Sequence, residues 1–290
     1  VAAAAAGAAV VAAASDVAFG AGYSYRRAYR PETFAERARI GMLEIVADHF
    51  MHPAREMRAE LDLLAAHFTL VPHGLGLSLG SADGLDETYL DRFADLIATV
   101  RPPWWSEHVA FTRAGGIDIG HLAPLPRTRD ALDALERNIA RARDRVGDVP
   151  LVLENIAAPM RLDTAGDLSE GAFLAELVAR TGCGLLLDVE NVYANASNFG
   201  EDPRATFDAL PPDAVVQLHV AGGGWSGATY LDSHATPVRE AVWALAAEAC
   251  RRFPIRAIVV ERDENLPPFA ELLHEVDRAS AIGRAAGRWR

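Results

Sequence analysis

Cysteine is nearly absent. Cys183 and Cys250 are the only two in 290 residues, far apart and outside any CxxC spacing. That argues against a disulfide framework and fits a reducing compartment, the cytoplasm. It also removes the thiolates that a structural zinc site would use. Cys183 abuts an apolar run and reads as a small buried hydrophobe. Positive charge is in deficit, with 28 basic against 40 acidic residues and a net charge of −12. Such a surface argues against nucleic acid and anionic membranes as partners. Outside the first residues, no stretch reaches the ~18 consecutive apolar residues of a membrane helix. Residues 1–16, "VAAAAAGAAVVAAASD", are low-complexity and carry no basic start of a signal peptide. They read as an Ala-rich extension preceding a single domain over 17–290.

Half of the residues are hydrophobic, enough for a sizeable core. After residue 16, short apolar runs alternate with longer runs of helical periodicity. Eight runs read as strands: 17–25, 41–47, 68–74, 104–112, 150–156, 184–190, 214–222 and 256–263. Between them, apolar stripes such as Leu85, Tyr89, Phe93 and Leu96, or Leu132, Leu135 and Ile139, mark helices. Thr236-Pro237 reads as the N-cap and first turn of another helix, and Pro267-Pro268 opens the last. The patterns at 31–39 and 201–209 are weaker. Near-continuous apolar strands, each followed by a helix, imply a parallel sheet covered on both faces. Eight such units predict a (β/α)8 TIM-type barrel of the xylose-isomerase-like kind, with an open doubly wound sheet as the alternative.

In such a barrel the strand C-termini share one mouth, and chemistry resides there. The run "GLLLDVENVYANASN" (184–198) ends a buried strand on Asp188, Glu190 and Asn191. Other predicted strand ends carry His73, His108, Glu154, His219 and Glu261, with Asp232 and His234 in a following loop. Buried carboxylates that close together must protonate, repel or bind cations. Arg262 is the only cationic neighbour, and strand alternation turns it away from Glu261. A metal cluster is the simplest balance, and mixed imidazole and carboxylate donors suit iron, manganese or zinc. Glu44 and Glu107 read as lumen or supporting carboxylates, and Asp48 and Asp263 as solvated or supporting ones.

Other motifs weigh less. "GLSLG" (76–80) has the G-x-S-x-G form, yet two glycines, Gly74 and Gly76, precede Ser78 and the helix is expected only near Asp83, so no strand-to-helix elbow is expected there. It reads as a loop lining the barrel mouth. No lysine accompanies it, so a phosphate role is weak. "AGGGWSG" (221–227) reads as a loop that could cover the site.

In this order, "HGLGLSLGSAD", "SEHVAFT", "LENI", "LLLDVENVY", "LHVAGG", "DSH" and "ERDENLP" resemble the multinuclear non-haem iron-dependent oxidative enzymes (MbnB-like, relatives of the methanobactin-biosynthesis oxidase). The resemblance spans roughly 17–285. It implies a TIM-type barrel holding two or three iron ions, with a mixed-valent Fe(II)/Fe(III) pair and O2 as co-substrate. It implies a ribosomal precursor peptide as substrate, modified at cysteine, and a leader-recognition partner protein. By the resemblance, His73, His108 and Glu154 hold one iron. Glu154 bridges to a second, completed by Asp188, His219 and Glu261, while Asn191, Asp232 and His234 hold a third. Glu190 or Glu107 would shuttle protons beside Glu154 and Asp188. Two departures stand out: Glu190-Asn191 replaces the family's usual Asn-Asn pair, and Asp48-His49 a Glu-Asn pair. A redox-silent sugar isomerase or phosphodiester hydrolase on the same barrel, and a non-catalytic peptide- or metal-binding protein, are the competing readings.

Overall fold

Alternation along eight short strands decides which side chains meet in the middle of this protein. The computed structural model describes residues 17–51, 54–160, 162 and 168–290. The Ala-rich extension, 1–16, lies outside the described residues. Among these, twelve strands occur: β1 (Gly20–Ser24), β2 (Leu43–Val46), β3 (Leu70–His73), β4 (Trp105–His108), β5 (Ala110–Ala114), β6 (Ile117–Pro124), β7 (Leu151–Glu154), β8 (Gly184–Asp188), β9 (Val215–Val220), β10 (Gly224–Ser226), β11 (Thr229–Leu231) and β12 (Ala257–Val260). Eight close into a parallel barrel in the order β1-β12-β9-β8-β7-β4-β3-β2. The expected barrel is therefore present, and the open sheet is excluded.

Among the described residues, ten α-helices connect and cover the strands: α1 (Arg30–Ala35), α2 (Ala47–Phe50), α3 (Arg55–Ala65), α4 (Glu87–Val100), α5 (Arg129–Val146), α6 (Glu170–Thr181), α7 (Val189–Phe199), α8 (Pro203–Ala209), α9 (Glu240–Arg252) and α10 (Phe269–Ala285). Several starts are capped by a side chain accepting from first-turn N–H groups: Asp86 for α4, Thr128 for α5, Ser169 for α6 and Asp188 for α7. Two expectations are corrected here. Thr236 does not cap α9, which starts at Glu240; its hydroxyl donates instead to the Gly223 carbonyl. The run 104–112 is not one strand. β4 stops at His108, and β5 leaves the barrel to pair antiparallel with β6.

Two apolar regions result. The larger lies between barrel and helices and includes Leu43, Ile45, Phe93, Trp105, Leu153 and Val260. The smaller fills the bottom of the lumen with Met42, Val71, Trp104, Val152, Leu186, Val216, Ala257 and Val259. Both follow from period-2 alternation in strands buried on both faces. The lumen is thus a solid plug below and a polar site above. Gly22 shows how tight the wall is: a Cβ there would sit 1.9 Å from the Met42 carbonyl oxygen.

Phe93 is fully buried on α4 and meets the Trp105 ring edge-on at 5.2 Å. Phe93→Ala is expected to cost about 3–5 kcal/mol through lost burial and the cavity left behind. Urea denaturation checks this; a loss below about 1 kcal/mol would mean that the helix layer tolerates collapse there.

Candidate metal centre

Above the apolar plug the lumen turns polar in two steps. Glu44, Ser106 and Gln217 come first, all buried. Two residues further along their strands stand His108, in register with Glu154, and His219, in register with Asp188; His73 is in register with Ser106, and Glu261 follows the end of β12. The sequence achieves this by placing ligand-type side chains at the last inward position of β3, β4, β7, β8 and β9, and just beyond β12.

The side chains form groups that share members. His73, His108 and Glu154 bring one ligand atom each within 4.8 Å of one another, as do Glu154, Asp188, His219 and Glu261. Oε2 of Glu154 lies 3.3 Å from His73 Nε2 and 3.4 Å from His108 Nε2. Its Oε1 lies 3.5 Å from His219 Nδ1, which is 3.1 Å from Glu261 Oε2. A third group joins His234, Glu261 and Asp263. His234 Nε2 is also 2.7 Å from Asp232 Oδ1 and 3.9 Å from Asp188 Oδ2. Asp263, expected to be solvated or supporting, is 46% exposed yet lies 3.1 Å from His234 Nδ1. His234 itself adopts φ +49°, a left-handed backbone that a non-glycine residue holds only when its surroundings impose it.

The atoms that meet here are unpaired. Glu154 Oε2, Asp188 Oδ2, Asn191 Oδ1, His219 Nδ1, Asp232 Oδ1 and His234 Nε2 are all buried without a hydrogen-bond partner. Some are close to one another but misaligned for a hydrogen bond, as Asp232 and His234 show. Buried polar atoms are otherwise almost always satisfied. Oxygen and nitrogen lone pairs converging without hydrogens between them are the arrangement a shared cation satisfies. Four imidazoles with carboxylates and an amide oxygen fit a first-row transition metal better than magnesium or calcium.

Electrostatics point the same way. Burial and the neighbouring Asp232 and Glu154 carboxylates push Asp188 well above the usual carboxylate range. Burial opposes the charged form of His108, but Glu154 and Glu107 outweigh it and raise the imidazole to about 9. His219 and His234 are likewise raised against burial, chiefly by Glu261 with Glu44, and by Asp232 with Glu261. Burial alone would raise Glu261, yet the His219 and His234 charges hold it well below its ordinary value. Burial beside the other imidazoles lowers His73. Cation-free, the centre balances its carboxylates with protons on histidine.

Neighbouring elements hold the groups in place. Asp188 is both last residue of β8 and N-cap of α7, its Oδ1 accepting from Asn191 N–H at 2.8 Å. Its backbone is clamped by the Asn155 amide, which accepts from Asp188 N–H at 2.9 Å and donates to the Asp188 carbonyl at 3.1 Å. Asn191 donates to the Asn155 carbonyl at 3.0 Å, which leaves its Oδ1 free to face the lumen. Glu190, in the first turn of α7, accepts from the Tyr230 hydroxyl at 2.6 Å. Burial raises its carboxyl to about 7. Tyr230 belongs to the β10–β11 hairpin, held by Asn198 at both its N–H and carbonyl and covered by the Arg239 guanidinium 4.5 Å above its ring.

Glu107 sits differently. Alternation sends Trp104, Ser106 and His108 inward and Glu107 outward. There its carboxylate accepts from His108 N–H at 2.9 Å and Leu77 N–H at 3.2 Å. Gly74 leaves room for it: a Cβ there would lie 2.6 Å from Glu107 Oε2 and 2.9 Å from the Phe93 ring, and would push the carboxylate aside. Ser78 of "GLSLG" is buried at φ +58°, and its Oγ accepts from Thr112 and Arg113 N–H at 2.8 and 3.2 Å. It anchors the β5–β6 hairpin and has no histidine partner. Asp48 accepts from Tyr89 O–H and Leu75 N–H, bracing the same loop. Arg262 points outward to Glu275 at 2.7 Å, as expected. Gln217 and Tyr230, absent from the sequence reading, touch the centre's residues directly; Gln217 was findable as the inward residue preceding His219.

Known proteins resemble this chain in sequence and in fold. A "UPF0276 protein" of Caulobacter vibrioides is 39% identical over 261 residues, covering 90% of this chain and 92% of that one. "UPF0276 protein Anae109_1558" of an Anaeromyxobacter species is 37% identical over 267 residues, covering 92% and 94%. Among solved structures, a putative xylose isomerase from Rhodospirillum rubrum superposes with a TM-score of 0.54 at 15% identity over 93% of this chain and 99% of that one. D-psicose 3-epimerase from Clostridium cellulolyticum gives 0.53 at 12% identity over 92% and 96%. At that identity the likeness concerns the fold, a xylose-isomerase-like barrel. The family model described as "RiPP precursor modification enzyme MbnB/TglH/ChrH" matches residues 20–284, nearly the whole barrel with its histidines and carboxylates, and the chain belongs to that family of peptide-modifying enzymes.

Proposed function

We propose that this enzyme is an iron- and dioxygen-dependent oxidase that modifies a ribosomally made precursor peptide, at cysteine, on a di- or tri-iron site. The observation that carries this is the set of buried, unpartnered ligand atoms converging on Glu154 from separate strands. Family membership supplies the peptide as substrate class. His73, His108 and Glu154 would hold one iron, and Glu154, Asp188, His219 and Glu261 a second. Asn191, Asp232 and His234 would hold a third, with Asp263 beside them. Bound there, iron would supply a Lewis acid for a substrate thiolate and one-electron chemistry with dioxygen.

The protein's own contribution is placement and proton handling. The strand ends hold the donors on rigid backbone, and the plug beneath excludes water from below. Glu190, near 7 and bonded to Tyr230, is suited to take or give a proton at its buried, unpartnered Oε2. Glu107 supports the site by holding the Leu77 and His108 backbone.

A cavity of about 430 Å3 opens beside Asn155, between Leu125, Ile156, Met160, Phe173 and Glu170. It offers mixed apolar and polar walls to a peptide residue next to the reacting one. Exposed Ile117 and Ile119 on β6 and Trp225 on β10 lie on hairpins that follow barrel strand ends, suited to a leader-recognition partner. No helix among the described residues is long and apolar enough to cross a membrane.

Mössbauer spectroscopy on anaerobically prepared, iron-57-loaded protein is expected to show two or three irons per chain with a coupled Fe(II)/Fe(III) pair. A single redox-inert zinc or manganese, without iron uptake, would instead make a sugar isomerase or hydrolase the better reading. Glu154→Gln is expected to lose bridging charge, lowering bound iron and dropping peptide-dependent oxygen consumption on the order of 100-fold or more. Full iron content and activity in that variant would refute the bridging role. Metal must also displace histidine protons. With His108 raised to about 9, iron affinity should climb with pH from neutrality until that value is passed, with protons released on binding. Calorimetry in buffers of different ionisation enthalpy measures that release.

A further inference from the structure

Below the centre, four buried polar side chains stand in single file. Trp104 Nε1 is 2.7 Å from Gln217 Oε1, and Gln217 Nε2 is 2.7 Å from Glu44 Oε2. Glu44 Oε2 is 2.8 Å from His219 Nε2. All four residues are fully buried, so no water competes for these contacts.

The file has one consistent polarity. An indole N–H can only donate. It therefore holds Gln217 with its oxygen toward Trp104 and its NH2 toward Glu44. That NH2 can only donate, which makes Glu44 Oε2 an acceptor. Gln217 Nε2 also lies 3.1 Å from His219 Nε2, but the closer contact, 2.8 Å, runs from His219 Nε2 to Glu44 Oε2, which takes the ring hydrogen. The other ring nitrogen is consistent with this. His219 Nδ1 is 3.1 Å from Glu261 Oε2, yet no acceptor is aligned with a hydrogen on it. With the hydrogen of Nε2 held by Glu44, Nδ1 is the nitrogen left to offer a lone pair once its proton is displaced, between Glu154 and Glu261.

The histidines across the lumen are set the opposite way. His108 Nδ1 faces the Gly74 carbonyl at 3.1 Å, an acceptor only, and so bears its proton there. Its Nε2, with that of His73, turns to Glu154. His73 Nδ1 is 2.8 Å from Ser106 Oγ.

We infer that Trp104, Gln217 and Glu44 form a directional hydrogen-bond relay that locks the His219 tautomer, so that His219 binds metal through Nδ1 while His73 and His108 bind through Nε2. Glu44 is a positioning residue: it acts through His219 and touches neither metal nor substrate. A carboxylate behind a ligating imidazole fixes the ring and raises its basicity. The inference rests on the reading that His219 is a metal ligand.

The test uses the full chain labelled with nitrogen-15 histidine and loaded with zinc, a diamagnetic stand-in that needs no peptide or oxygen. Long-range proton–nitrogen NMR should show one histidine, lost in His219→Gln, with a protonated Nε2 and a metal-bound Nδ1. His108 should show the reverse. Glu44→Leu should erase the slowly exchanging Nε2 proton and weaken zinc and Fe(II) binding about 10–100-fold. Glu44→Gln, which keeps an acceptor oxygen, should restore the tautomer. Should Glu44→Leu fail to fold, the wild-type spectrum decides alone. Zinc bound with His219 coordinated through Nε2 would overturn the relay and leave the metal centre standing. No zinc or iron uptake by the wild-type chain would overturn both.

Discussion

Charge neutrality inside a closed barrel is the constraint on which the rest of this structure depends. Glu44, Glu154, Asp188, Glu190 and Glu261 are buried together, and the only arginine next to them in sequence, Arg262, is turned outward to Glu275. A carboxylate moved out of water without compensation costs several kcal/mol or more. The protein therefore needs counter-charge in the lumen, either as protons on His108, His219 and His234 or as cations. Protons and metal compete for the same nitrogens. That is why the lining resembles a strained acid–base cluster and a ligand set at once.

The same constraint explains the layering. The apolar plug around Trp104 and Met42 provides no charged partner, only the Trp104 indole N–H to Gln217, so nothing drains charge downward. Glu44, Ser106 and Gln217 make a transition layer that hydrogen-bonds one ring nitrogen of His219 and one of His73. The outer helices contribute through their starts: Asp188 ends β8 and caps α7, so one carboxylate satisfies a helix N-terminus with one oxygen and faces the lumen with the other. A residue with that double duty allows a strand to pass into a helix without a loop.

Much of this was legible in the sequence because the signals are local. Apolar runs ending on His73, Glu154 and Asp188 identify strands, their direction and the mouth in one stroke. Period-2 alternation also separates Glu107 from His108, although type alone made both look like lumen residues. What stayed hidden depends on pairing across long separations. Nothing near residue 110 announces that the chain leaves the barrel for a hairpin with 117–124. "AGGGWSG" looked like a plain loop because the β10–β11 pairing rests on the Asn198 clamp, some thirty residues upstream. Asp263 looked solvated since only the fold brings His234 beside it.

The three ligand groups rest on backbones of different kinds. The first two are built on barrel strands, whose backbones are paired on both sides. The third draws on Asp232 and His234, from the segment between β11 and α9, and on Asp263, past the end of β12. Local opening in proteins follows such differences in pairing. Around His234 the backbone is held by isolated bonds, from Ala235 and Thr236 N–H to the Gly222 carbonyl and from Asp263 N–H to the His234 carbonyl, not by a strand ladder on each side. Hydrogen exchange would then find slow amides behind His219 and Glu154 and fast ones behind His234, and any ion held by the third group would exchange with solvent on the faster clock.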